Sequence, residues 1–173
     1  MQRIRFAVAS SLDGYIAGPS GEPDWIPPDP DINFSDLWAQ FDTLLIGRRT
    51  WDIAAEGFRK FGRQGSKLVI VSRTLRSADH PDASVLSSLT RESIEGLRAE
   101  ARKDIWLFGG GNLFRSLLEL RVVDTVEVTV IPVLLGEGIP LLPPTAQRTI
   151  LKLAQHKVYP SGRVWLQYDV QNG

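Results

Sequence analysis

The run Gly109-Gly110-Gly111 follows an apolar stretch, 105–108, and precedes a helix-like stretch, 112–120. Backbone without side chains, turning straight from strand to helix, lets a ligand approach its amide groups. A helix start leaves N–H donors without intrahelical partners and a partial positive charge, which suits a phosphate or pyrophosphate. A tight turn in an unusual backbone conformation would use the same glycines, so the neighbouring motifs decide. Gly47-Arg48-Arg49-Thr50 follows the apolar run 43–46, and Ser72-Arg73-Thr74 follows the run 67–71. In open α/β sheets ligands lie beyond the C-terminal ends of the strands. Three strand ends carrying glycines, hydroxyls and arginines therefore read as one anion cradle. Arginine's planar fork matches phosphate better than the point charge of lysine. An acidic residue in that role would bind an unphosphorylated ribose and select NAD. With Arg48, Arg49 and Arg73 there instead, NADPH is the expected cofactor.

The elements that position these residues follow from hydrophobic period and punctuation. Residues 4–10, 43–46, 67–71, 105–108 and 122–131 read as strands, and 83–86 as a short one. Apolar residues at helical spacing mark 34–41 (Phe34, Leu37, Trp38, Phe41), and 88–102 is an amphipathic helix with Ile94 and Leu97 facing inward. Two C-terminal strands, about 150–158 and 163–170, are joined by the turn Tyr159-Pro-Ser-Gly162. Strands alternating with helices and closed by a hairpin predict a three-layer α/β fold. Its central sheet is mostly parallel and ends in an antiparallel C-terminal hairpin. The Gly-, Pro- and Asp-rich stretch 13–30 is too long for a plain connection and reads as a functional loop.

Composition narrows the partners. The 173 residues are 43% hydrophobic and 23% charged, which is ordinary globular usage and fits one domain over 1–173. Twenty Lys+Arg balance twenty Asp+Glu, so neither nucleic acid nor an anionic membrane is the expected partner. The chain has no cysteine and only two histidines, His80 and His156. That excludes thiolate chemistry and leaves no expected metal site. The start of the chain reads as a strand, and no apolar run approaches the ~18 residues of a membrane span, so a cytoplasmic protein is expected.

With these motifs in hand, the chain resembles the dihydrofolate reductase superfamily. More closely, it resembles the branch containing the reductase domain of riboflavin biosynthesis and its stand-alone relatives. The matching segments are 10–17 (SSLDGYIA), 45–51 (LIGRRTW), 71–75 (VSRTL), 108–113 (FGGGNL) and 134–141 (LLGEGIPL), in the family's order. The resemblance implies that Gly47, Arg48, Arg49 and Thr50 hold the NADPH phosphates. It implies that Ser72 and Arg73 contact the adenosine and its 2′-phosphate. Gly109, Gly110, Gly111, Asn112 and Leu113 match the turn beneath the pyrophosphate, with a cis peptide expected at Gly109-Gly110. Ala9 would lie near the nicotinamide, and 12–25 matches a loop that closes over the cofactor, with Trp25 beside the substrate.

Counting back from Arg48, the position of the family's active-site carboxylate is Asp31, and Thr129 matches the hydroxyl that supports it. In an apolar cleft such a carboxylate could anchor an N–H-rich heterocycle and supply protons near neutral pH. Asp31 also stands where a helix cap is favoured, just before Phe34, and both readings stay open. Asp13 reads as a turn residue, and Trp25, Trp38, Trp51, Trp106 and Trp165 as core rather than a stacking platform, only Trp25 standing in the loop beside the expected site. Ser66 occupies the position of the arginine for the folate tail, with Arg63 a substitute from the loop. The segment 51–58 (WDIAAEGF) departs from the riboflavin enzymes' pattern. The expectation is an NADPH-dependent reductase of a small nitrogen heterocycle. It is most like the riboflavin-pathway reductase of a ribosylamino-uracil, with dihydrofolate reduction or non-catalytic NADPH binding as alternatives. A homodimer is implied by the resemblance.

Overall fold

Parallel strands buried on both faces are apolar at consecutive positions, and three runs here show it. Leu44-Leu45-Ile46, Leu68-Val69-Ile70 and Ile105-Trp106-Leu107 are all buried. Period-two alternation then sends Leu45, Val69, Ile105 and Leu107 to one face, and Leu44, Ile46, Leu68, Ile70 and Trp106 to the other. Each face needs a covering layer. The computed structural model describes residues 2–62 and 65–171 and supplies both.

The strands are β1 (Ile4–Ser11), β2 (Tyr15–Ala17), β3 (Phe41–Gly47), β4 (Lys67–Val71), β5 (Ser84–Leu86), β6 (Asp104–Gly109), β7 (Thr125–Ile131), β8 (Ile139–Pro140), β9 (Ile150–Val158) and β10 (Val164–Gln171). The helices are α1 (Phe34–Trp38), α2 (Arg48–Gly62), α3 (Arg91–Glu100) and α4 (Gly111–Glu119). Eight strands form one sheet in the order β5-β4-β3-β6-β1-β7-β10-β9, and β2 pairs with β8 separately. From β5 to β7 the pairing is parallel, and β10 is antiparallel to both β7 and β9. This is the layered α/β sheet with a C-terminal hairpin that the pattern predicts.

On one face Ile94 of α3 and Leu113, Phe114 and Leu117 of α4 pack onto Ile4, Phe6 and Leu107. The rings of Phe6 and Phe114 stack with centroids 3.8 Å apart. On the other face Trp51 and Phe58 of α2, with Leu37 and Trp38 of α1, cover Ala7, Leu44, Ile46 and Trp106. The indole of Trp106 donates to the Ala7 carbonyl at 2.9 Å, so this aromatic is core, as read. Among the described residues no helix is long and apolar enough to cross a membrane.

Several boundaries move for physical reasons. The first helix stops at Trp38, because Phe41 opens β3 opposite Asp104 and is 3% exposed. Burying such a ring is worth about 2–3 kcal/mol, more than the few tenths that helix propensity decides. The helix read at 88–102 starts only at Arg91, where Thr90 and Ser93 form a reciprocal capping box. Val122 and Val123 are buried ahead of β7 rather than within it. The stretch 13–30 contains β2, which the glycine-rich pattern concealed.

Candidate functional site

Strands β4, β3, β6 and β1 are parallel neighbours, so their C-terminal ends share one edge of the sheet. At that edge β3 runs directly into α2 and β6 into α4, so two helix N-termini stand side by side. The contact is close. A Cβ on Gly47 would lie 3.2 Å from the Gly109 carbonyl oxygen and 3.4 Å from the Gly110 nitrogen. A Cβ on Gly110 would lie 3.4 Å from the Thr50 hydroxyl. The first and third sequence motifs therefore meet at Gly47, Thr50 and Gly110. The Gly109-Gly110 peptide is cis, as expected.

Gly110 caps α4 with no side chain, and its carbonyl accepts from Leu113 and Phe114 at 3.0 and 3.1 Å. The amides of Gly111 and Asn112 belong to the first turn, which the helix itself cannot satisfy. Gly111 is required for a different reason. Its Cβ would meet the Pro140 oxygen at 2.6 Å and Pro143 at 2.9 Å, where the segment after β7 lies across the helix start.

The second motif closes the edge on the β4 side. Ser72 is buried, and its hydroxyl accepts from the Thr74 and Leu75 amides at 3.3 and 3.2 Å. Arg48 donates to the Thr74 hydroxyl and, through Nε, to Asp52 at 3.1 Å, so it links the ends of β3 and β4. Arg49 and Arg73 are exposed. Backbone donors at two helix starts, a threonine hydroxyl and three arginines along one edge fit the phosphates of a dinucleotide.

Beyond β6 the edge continues onto β1 and β7. Ala9 pairs in register with Thr129, and Thr129 with Trp165 of β10, so the three share a face. It is the face of Ala7, covered by α1 and α2. Thr129 and Trp165 are half-buried, so Trp165 stands at the candidate site and is not the enclosed core residue expected.

The residues ahead of α1 correct two readings. The helix cap is Asn33, whose side chain accepts from the Ser35 and Asp36 amides at 3.0 and 3.3 Å; Asp31 does not cap the helix. Asp31 is also exposed and so does not lie in the apolar cleft expected around it. The enclosed carboxylate of this segment is Asp29, 7% exposed, which no motif singled out. Its carboxyl is held below the usual range, first by the Ser161 hydroxyl at 2.6 Å, then by the Asp31 amide at 3.0 Å. Trp25 is half-buried, and its indole N–H is buried with no acceptor.

Asp13 does more than form a turn. It accepts from the Ser11 hydroxyl at 2.6 Å and from the Gly136 and Leu135 amides at 2.7 and 3.1 Å. These bonds, the Ser11 one first, lower its pKa to about 2. Asp13 thereby fastens the loop after β1 to the loop after β7. In the same loop, a Cβ on Gly21 would meet Ile53 of α2 at 2.5 Å, so 18–22 lies over the second helix. Ser66 immediately precedes β4, and Arg63 lies outside the described residues.

Residues 2–166 match the family model of the RibD C-terminal domain. The chain belongs to that family. A curated relative, the uncharacterized protein YyaP of Bacillus subtilis (strain 168), is 35% identical over 96% of this chain and 94% of its own length. The fold is shared with a solved protein from Shewanella sp. PV-4, described as a riboflavin biosynthesis protein. That match has a TM-score of 0.82 at 24% identity, over 99% of this chain and 100% of the other. Dihydrofolate reductase from Enterococcus faecalis, solved with NADP(H), superposes with a TM-score of 0.70 at 16% identity, over 98% of this chain and 97% of its own. The architecture is therefore that of dihydrofolate reductase, in the RibD C-terminal branch.

Proposed function

We propose that this RibD C-terminal domain protein is an NADPH-dependent reductase of a small nitrogen heterocycle. The reaction closest to it is reduction of the ribosylamino-pyrimidine of riboflavin synthesis. The observation that carries the reading is the meeting of Gly47, Thr50 and Gly109-Gly110 between two helix N-termini.

In this reading the amides of Gly111 and Asn112 and the Gly47-to-Thr50 turn, with Arg48 and Arg49, bind the pyrophosphate, and Leu113 packs behind them. Ser72 and Arg73 hold the adenosine end, where a second phosphate distinguishes NADPH from NADH. NADPH, when bound, supplies the hydride. Ala9, with only a methyl group on the face it shares with Thr129, leaves room for a flat ring. Asp31 anchors the N–H groups of the heterocycle and passes the proton, Thr129 supports that contact, and Trp25 stands on the substrate side. Orientation of the two reactants contributes most of the rate.

The test is titration with NADPH and NADH, followed by thermal shift, and then cofactor oxidation with pyrimidine and pterin substrates. Tighter binding of NADPH and turnover of a pyrimidine are expected. No response to NADPH would end the reading.

The exposure of Asp31 favours one second reading, a protein that binds NADPH without turnover; dihydrofolate as substrate is tested by the pterin arm. The protein would act in the cytoplasm as a homodimer. β9 is an edge strand exposed along its length, with Ile150, Leu151, Leu153 and Val158 bare, and such an edge is a template for a second copy. Sedimentation of the parent and of a Leu151→Lys, Leu153→Lys variant decides this.

A further inference from the structure

Residues 26–31 read Ile-Pro-Pro-Asp-Pro-Asp. Three prolines lack N–H donors, so neither a helix nor a strand ladder can hold this segment. Side chains from far along the chain hold it instead. One carboxylate oxygen of Asp29 accepts the Asp31 amide at 3.0 Å. The other accepts the Ser161 hydroxyl at 2.6 Å and faces Arg163 Nε at 3.4 Å. Arg163 also donates to the Pro27 carbonyl. The side chains of Arg163 and Asp29 are 3% and 1% exposed.

Burying two charges costs several kcal/mol each, and hydrophobic replacements often do as well for stability. What a buried pair can add is a unique placement, and here the two ends are informative. Asp29 is bonded to the backbone of Asp31. Arg163 immediately precedes β10, two residues before Trp165, whose register partner on β7 is Thr129. The pair thus joins the segment carrying Asp31 to the strand beside Thr129.

We propose that Asp29, clamped by Arg163 and Ser161, is a positioning residue for the substrate half of the site. It sets where Asp31 stands relative to Thr129 and leaves the phosphate edge untouched. The substrate part of this inference rests on the reductase reading above; the clamp itself does not.

Hydrogen exchange on the ligand-free protein tests the clamp directly. In Arg163→Met the Asp31 and Ile32 amides should exchange at least about tenfold faster, while those of β3 and β6 stay as in the parent. Ser161→Ala, a milder change at an exposed residue, should give a smaller acceleration at the same two amides, and Arg163→Lys should restore part of the protection. NADPH affinity should stay within about twofold of the parent, while KM for the turned-over heterocycle rises about tenfold or more. A role in stability alone would lower Tm without separating those two constants. Unchanged exchange at Asp31 and Ile32 in both Arg163→Met and Ser161→Ala overturns the clamp, as does an equal loss of NADPH affinity. A parent that ignores NADPH, with Asp31 and Ile32 still loosened in the variants, overturns the reductase reading and leaves the clamp in place.

Discussion

In the proposed reading the candidate site has two halves, a phosphate edge and a substrate half, and they are made of different materials. The phosphate edge consists of backbone and short side chains: Gly47, Thr50 and Gly109 to Gly111, within a few residues of two helix starts. Its partners come from adjacent parallel strands, so forming β3 and β6 brings it together. The substrate half consists of charged and aromatic side chains whose partners lie far away. Asp29 bonds Ser161 across 132 residues, and Arg163 reaches Pro27 across 136. An anion site can rely on the dipole and amides that every helix start provides. A site for a specific heterocycle, as proposed, must place individual groups, and the segment around Asp29 is placed by long-range contacts.

The difference can be broken experimentally. The largest effect is expected for Asp31→Asn, which should lower turnover by about a hundredfold to ten-thousandfold, the range for a proton-transferring group. NADPH affinity, measured by fluorescence quenching, should be unchanged. Comparable loss of both would mean that the two halves are not separable. Next comes Gly111→Ala. Its methyl group would press on the Pro140 oxygen 2.6 Å away, which predicts a loss of about 1–3 kcal/mol in denaturant unfolding together with weaker NADPH binding. An Ala variant as stable as the parent would show that the segment after β7 yields easily.

A smaller change sharpens the cofactor half. Arg73→Ala should weaken NADPH about tenfold to a hundredfold and leave NADH nearly unaffected, as expected for one charge-assisted contact. Equal loss for both nucleotides would move Arg73 away from the 2′-phosphate. The smallest effect concerns Asp13, the clamp between the loops after β1 and β7. Its pKa is depressed to about 2, so its contribution is complete above the ordinary carboxylate pKa and is lost as pH falls through the depressed value. Thermal melts of the parent and Asp13→Asn should therefore differ most above about pH 5 and converge toward about pH 2. A constant difference across that range would show that the charge is not what holds the loops.

Legibility in the sequence follows the same division. The run 67–71 is a strand over those residues because an apolar, β-branched run bounded by turns carries its own signal, and 150–158 is another because the turn at 159–162 marks a hairpin. The glycine turn was readable down to its cis peptide through resemblance. Phe41 fits a helical period as well as a strand, so the spacing extends the helix to 41, and only pairing with Asp104 assigns it to β3. Asp31 looked like a cap from its position, yet Asn33 has the geometry. Asp29 carried no signal beyond its prolines. Its importance comes from Arg163, and no local rule connects residues so distant in the chain.

The sequence by itself determined the layered parallel sheet and the chemistry at its strand ends, because period, turn residues and helix starts are encoded within a dozen neighbouring residues. Tertiary structure decided which carboxylate is enclosed, which residue caps α1, and what holds the proline-rich segment in place. Those outcomes depend on burial and on partners brought from the other end of the chain, and both exist only once the sheet has closed around them.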